Sequence, residues 1–272
     1  MYKGIAGSEG IGIGTVVLIE EHEINIETKR VEETGAEIER LQNAIEKFVA
    51  DTNVMAEKMD ITVGKKDADI LRGHIQMLQD PMIEEQISAL VISEKITAEM
   101  AVEQVLEQTA EMFSQIPDEL LQQRATDFRD IKTRMLKILL GIEDVDISQV
   151  PAGTVIVARD LTPSMTAGIN PENIEGILTE VGGRTSHSAI LARAMEVPAV
   201  LSIENICSIA KNGDKVVLDG TSGEAILNPD DETVEKFKKM YSDYQNEKAL
   251  LKEYAGKPSQ TKDGVKVELV CN

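Results

Sequence analysis

The chain has 272 residues, 42% of them hydrophobic, which suits one large folded unit or two modest ones, so disorder is not the default. Its 28 Lys and Arg face 48 Asp and Glu, a formal charge of −20 that opposes both nucleic acid and anionic membrane surfaces. No run of about 18 apolar residues occurs, and the amino end lacks the apolar stretch and cleavage site of a secretory signal, so a soluble, cytoplasmic protein is expected.

Residues 3 to 20, KGIAGSEGIGIGTVVLIE, alternate small and β-branched side chains and predict a strand with tight turns. Gly10, Gly12 and Gly14 have a G-x-G-x-G spacing, without the third offset and following helix of a dinucleotide fingerprint. From 21 to 147 Pro and Gly become sparse and apolar residues recur at helical spacing, as in Ile38, Leu41, Ile45, Phe48 and Val49. Helices are expected over 31–59, 66–79, 82–92, 97–115 and 117–140, with Pro81 and Pro117 as breaks or first-turn residues, forming an antiparallel bundle. That segment carries 28 acidic and 14 basic residues, most of the excess negative charge. After Gly141, the segments PAGTVIVARDLTP, GILTE, AVLSI, KVVLDG and GEAILNPD read as short strands between helices. With one strand before the bundle and the others after it, the economical arrangement is a helical insertion in an α/β domain. TVEKFKKMYSDYQNEKALLKEY predicts a linker helix, and the tail KDGVKVELVCN predicts the start of another strand. Cys207 and Cys271 match neither a CxxC pair nor a disulfide framework and read as ordinary thiols. No repeat, low-complexity tract or zinc-ligand spacing is evident.

Of the three histidines, His187 has the informative setting. It lies in EVGGRTSHSAILARAMEVP, where a strand runs into a Gly-Gly turn, Thr185 and Ser186 offer N-caps, and AILARAM favours helix. The imidazole is therefore expected at a helix N-terminus, where unpaired first-turn amides and the positive end of the macrodipole favour a phosphoryl group. Arg184, Ser186 and Ser188 are candidate phosphate-stabilising donors. The competing reading is a capping segment whose histidine merely packs. G-x-S-x-G is absent, which argues against a catalytic serine, and no partner ligands at metal-binding spacing surround His187.

GGRTSHSAILAR resembles the phosphohistidine signature of the phosphoenolpyruvate-utilising enzymes. LRGHIQMLQDPMIEEQI and RATDFRDIKTRMLKILLG resemble the helical insertion of the Enzyme I family of the bacterial sugar phosphotransferase system. KGIAGSEGIGIG and TVIVARDLTPSMTAGIN resemble the same family's opening strand and the strand and loop that face the histidine. The resemblance implies a swivelling phosphohistidine α/β domain (1–20 and 148–229), an inserted helical domain binding the carrier protein HPr (21–147), a linker helix (230–257) and, over 258–272, the start of a carboxy-terminal barrel.

It further implies that His187 takes phosphate from phosphoenolpyruvate on Nε2 and passes it to the histidine of HPr. Thr166 would hydrogen-bond Nδ1 and set the tautomer, and His74, Met77, Leu121 and Arg124 would belong to the HPr-docking surface. An acidic bundle suits a partner with a basic active-site face. His22 matches nothing in the family and is expected at the surface. Family members continue into a barrel that binds phosphoenolpyruvate and Mg²⁺ and forms a homodimer. This chain is expected to stop within that barrel's first strand, to need no cofactor of its own, to be monomeric and to exchange phosphate only with phospho-HPr. Two alternatives remain: the swivelling domain of a pyruvate phosphate dikinase or phosphoenolpyruvate synthase, disfavoured by the helical insertion, and a partner-binding module in which His187 is inert.

Overall fold

The computed structural model describes residues 1–19, 24–142, 147, 150–255, 261, 263, 265 and 267. The opening segment forms three strands, β1 (Tyr2–Lys3), β2 (Ile5–Ser8) and β3 (Ile11–Ile19), where the sequence predicted one run with tight turns. Gly10 makes the turn between β2 and β3 at φ 127°, a conformation most side chains avoid. Gly12 and Gly14 serve packing, since a side-chain carbon at either would overlap a backbone carbonyl, that of Glu175 or Gly153. The glycine spacing thus reflects close approach of neighbouring backbone to a strand, and no phosphate loop is involved.

Beyond the bundle come β4 (Thr154–Ala158), β5 (Ile174–Thr179), β6 (Ala199–Leu201), β7 (Lys215–Asp219) and β8 (Glu224–Leu227). Among the described residues, all eight strands join one mixed sheet in the order β1-β8-β7-β3-β4-β5-β6-β2. Strands β3 to β6 run parallel, as the βαβ-like alternation of strands and helices requires, while β2, β7, β8 and β1 complete the sheet with antiparallel pairs. Strands β3 and β4 lie side by side, from Thr15 beside Thr154 to Ile19 beside Ala158. The helical bundle is therefore carried on the connection between two adjacent parallel strands.

The bundle comprises α1 (Thr34–Thr62), α2 (Lys65–Leu78), α3 (Pro81–Glu94), α4 (Ala98–Ser114) and α5 (Glu119–Leu140). Each overlaps its predicted range and differs at the ends by a few residues, where capping decides. Asp80 accepts a hydrogen bond from Met82 N at 2.8 Å, and Pro81 takes the first helical position of α3, where its missing N–H costs nothing. Pro117 instead precedes the cap of α5, whose Asp118 accepts from Leu121 N at 3.0 Å. Gly141, at φ 66°, ends α5. Short helices α6 (Pro163–Thr166), α7 (His187–Ala194) and α8 (Ile206–Ile209) connect the later strands, and α9 (Asp231–Ala255) is helical where a linker helix was expected. The expected boundaries near 20 and 147, His22, Cys271 and nearly all of the tail strand lie outside the described residues. Cys207 is half-buried. No helix among the described residues is long and apolar enough to cross a membrane.

Four hydrophobic clusters among the described residues hold these layers. The bundle core gathers Leu41, Phe48, Leu78, Ile87, Leu106, Ile131 and Met135. A sheet core centred on Ile156, Ile177, Leu191 and Leu201 is continuous with Ala56 and Met59 of α1 and with Ala68 and Leu71 of α2, so the bundle and the α/β unit are welded at one end. On another part of the sheet, α9 lays Phe237 against Ile11 and Val217. Within the bundle, Phe48 has no solvent exposure and lies under the Arg134 guanidinium, 4.2 Å from its ring centroid. Phe48→Ala leaves a cavity beneath that cation and is expected to cost about 3–5 kcal/mol, read as a lowered denaturant midpoint. A loss under about 1 kcal/mol would mean that the bundle closes over the gap.

Candidate phosphohistidine site

Strand β5 ends at Thr179, and the loop 180–186, with Gly182 at φ 107°, turns the chain into α7. Ser186 is the N-cap: its Oγ donates to Gly183 O at 2.8 Å and accepts from Ala189 N at 3.3 Å. His187 is the first helical residue and is 9% exposed. Of the first-turn amides, Ala189 is taken by the cap and Ile190 donates to Ser186 O at 3.0 Å. Those of His187 and Ser188 have no acceptor among the described residues.

The ring faces the bundle. His187 Nε2 lies 3.6 Å from Asp127 Oδ1 on α5. The same oxygen accepts from His74 Nε2 on α2 at 3.2 Å, while Arg124 Nη1 reaches Asp127 Oδ2, also at 3.2 Å. His74 Nδ1 is 3.6 Å from Asp130 Oδ2, and Asp130 Oδ1 accepts from Ser164 Oγ of α6 at 2.6 Å. From the other side Asp160, after β4, accepts hydrogen bonds from Ser188 Oγ and from Leu161 N. Gln123 of α5 ties the loop down by donating to Thr185 O at 2.9 Å. Asp127, Asp130, His74 and Ser188 are all buried.

The charges respond to this burial in opposite directions. Burial pushes the Asp127 carboxyl up, but the His74 hydrogen bond and the charges of His74, His187 and Arg124 outweigh it and hold the group below the ordinary carboxylate range. Asp160 is pushed above that range chiefly by burial. Ser188, Leu161 N and His187 oppose the push, and Asp130 adds to it.

The expected residues divide accordingly. His187 and Ser186 occupy the helix start as predicted. Ser188 is fully buried and its hydroxyl is engaged by Asp160, so this arrangement does not offer it to a phosphate. Arg184 is exposed and lines a groove with Arg193, Tyr244 and Lys248, beside α9. Thr166 is fully buried on α6, which packs against α7, but its hydroxyl donates to the Pro163 and Thr162 carbonyls at 3.0 and 3.3 Å, so the expected bond to His187 is not made in this conformation. His74, expected at a docking surface, is fully buried: it sits between Leu71 and Leu78 at helical spacing and shares their inward face. Met77, Leu121 and Arg124 do reach solvent, with Arg124 Nη1 3.9 Å from Met77 Sδ. Asp127, Asp130 and Asp160 are functional candidates that sequence reasoning missed. The charged stripe of Asp127, Asp130 and Arg134 along the buried face of α5 was the available signal. Among the described residues no three His, Cys, Asp or Glu side chains are placed to hold a metal ion.

A histidine opening a helix on an α/β unit, facing an inserted bundle, defines the class. The family model "PEP-utilising enzyme, N-terminal" matches residues 3–124, and "PEP-utilising enzyme, mobile domain" matches residues 150–223. Within that class the chain belongs to the Enzyme I, or phosphoenolpyruvate-protein phosphotransferase, family. The phosphoenolpyruvate-protein phosphotransferase of Mycoplasma capricolum subsp. capricolum is 36% identical over 99% of this chain and 47% of its own length. That of Haemophilus influenzae is 35% identical over 100% of this chain and 48% of its own. The chain thus spans about half the length of the curated relatives it matches. The solution structure of the Enzyme I protein nEIt is 38% identical, with a TM-score of 0.76 over 90% of this chain and 100% of that one.

Because folded Asp160 holds its proton more tightly than the unfolded residue, it makes the fold less stable as pH rises from the ordinary aspartate range through its raised folded value. Asp160→Asn keeps the Oδ1 acceptor and buries no charge. Its thermal midpoint at neutral pH is expected to equal or exceed that of the native chain, with a shallower decline as pH rises above the ordinary aspartate range. A lower midpoint with an unchanged pH slope would show that the ionised group is required.

Proposed function

We propose that this chain is the phosphoryl-carrying and HPr-binding part of a cytoplasmic phosphoenolpyruvate-protein phosphotransferase. The observation that carries the reading is His187 itself: one of two imidazoles at the seam between bundle and sheet, it alone starts a capped helix, inside GGRTSHSAILAR. An imidazole nitrogen is a nucleophile whose phosphoryl adduct remains a good donor, so a ring at this seam suits a relay between two partners. Phosphate from phosphoenolpyruvate would enter on Nε2 with cleavage of the enol P–O bond, and leave as the ring nitrogen of HPr attacks the phosphorus and the N–P bond to His187 breaks. The whole enzyme's phosphoenolpyruvate and Mg²⁺ chemistry belongs in this reading to the half of the relatives' length that the chain does not span.

Each neighbouring group has a role in the proposal. First-turn amides of α7 and its macrodipole favour anionic oxygens near the ring. Arg184, exposed in the preceding loop, is within reach of a phosphoryl group once the seam opens, whereas Ser186 acts by capping the helix. Thr166, already buried beside α7, would exchange its backbone acceptors for Nδ1 when the ring turns into its reactive position. Met77, Leu121 and Arg124 form the rim on which HPr would dock, on an acidic bundle that attracts a basic partner.

Incubation with radiolabelled phospho-HPr tests the reading. Acid-labile label is expected on His187 and is lost in His187→Ala, while Thr166→Val slows exchange by roughly 10- to 100-fold without changing HPr affinity. A stable complex with HPr that never takes up label would overturn the relay and favour a binding module. An unaltered exchange rate in Thr166→Val would remove that residue from the mechanism.

A further inference from the structure

The relay leaves Asp127 without a part to play, and its geometry supplies one. This carboxylate belongs to the bundle, yet one of its oxygens lies between two imidazoles, 3.2 Å from His74 Nε2 and 3.6 Å from His187 Nε2. The longer contact exceeds a hydrogen bond and is a charge contact across the seam. The groups facing it are His74 from α2, Arg124 and Asp130 from α5, His187 from α7, and Asp160 from the turn after β4. Two consequences follow. A proton on Nε2 is favoured by the anion beside it, and a protonated nitrogen has no lone pair for phosphorus. The gap between Nε2 and Oδ1 also cannot admit a phosphorus atom with its three oxygens, and in so buried a place two anions repel strongly.

We infer that Asp127 is a positioning residue of the relay: it seats unphosphorylated His187 against the bundle with the ring proton on Nε2, and a phosphoryl group on that nitrogen evicts the ring from the seat. The inference rests on the reading of His187 as the phosphate carrier. In the transfer step the Nε2 proton is first released to solvent while Nδ1 takes one up. The Nε2 lone pair then forms the new N–P bond as the N–P bond of phospho-HPr breaks, and that bond's electron pair returns to the ring nitrogen of HPr. Phosphorylation and the closed seam thereby exclude one another. Asp127 remains ionised well into the acid range, because its partners hold its carboxyl below the ordinary value, so the exclusion operates at neutral pH.

The experiment uses the whole chain, in native form and as Asp127→Asn, with Asp130→Asn as a control that keeps the Asp127 anion beside His187. Ring ¹⁵N spectra are expected to place the His187 proton on Nε2 in the native chain and in the control, and to shift it toward Nδ1 in Asp127→Asn. The equilibrium with phospho-HPr is expected to move roughly tenfold toward the phosphorylated chain in Asp127→Asn, since only the unphosphorylated state loses a favourable contact. Should that variant fail to fold, the native chain suffices: on phosphorylation, amide exchange in α7 and in residues 121–131 is expected to accelerate together. Label on His187 with an unmoved tautomer and partition in Asp127→Asn, or with unchanged exchange in the native chain, overturns the role of Asp127 and leaves the relay standing. Absence of label on His187 in the native chain overturns the relay itself.

Discussion

Burying charge at a domain seam is costly, and the arrangement around His187 is the way this chain meets that cost. Three carboxylates and two imidazoles share a space from which water is largely excluded, and each finds a partner of opposite sign or a hydrogen-bond donor. Asp127 carries the heaviest share, linking His74, His187 and Arg124. Since those groups come from α2, α5 and α7, the cluster ties the bundle to the helix that carries the His187 ring.

Apolar packing and polar pairing divide the work along that junction. At one end, Ala56, Met59, Ala68 and Leu71 merge with the core of the sheet and act as a weld. At the other, the contact is made of charges and single hydrogen bonds such as Gln123 to Thr185 O. Polar contacts can be exchanged for water with little net change in free energy, whereas separating packed aliphatic side chains forfeits the full burial term. The junction is therefore expected to open at its polar end, which is the end that holds His187.

The inserted architecture explains why His187 lies there. Strands β3 and β4 are parallel neighbours, so the segment between them must cross from one end of the sheet to the other, and the whole bundle is carried on that crossing. The loop after β5 runs out at the end of the parallel set facing the bundle, where the start of α7 offers unpaired amides. A small helix of eight residues with a serine cap is sufficient to present one ring, because the rigidity comes from the sheet below it and from α6 beside it.

Much of this was legible along the chain because it depends on near neighbours. Helical spacing set the five bundle helices, Pro81 and Pro117 marked two of the breaks between them, and the Gly-Gly turn with Ser186 placed His187 at a helix N-terminus. These are local effects of backbone conformation, capping and side-chain periodicity. The division of the opening segment into three strands and the engagement of Ser188 by Asp160 were not legible. Each depends on which distant backbone or side chain lies opposite, as Glu175 does for Gly12 and Asp127 for His187. Sequence alone thus placed His187 at the start of the helix that presents it, whereas the identity of the carboxylate beside the ring was decided only by tertiary packing, because 60 residues of chain separate positions 127 and 187.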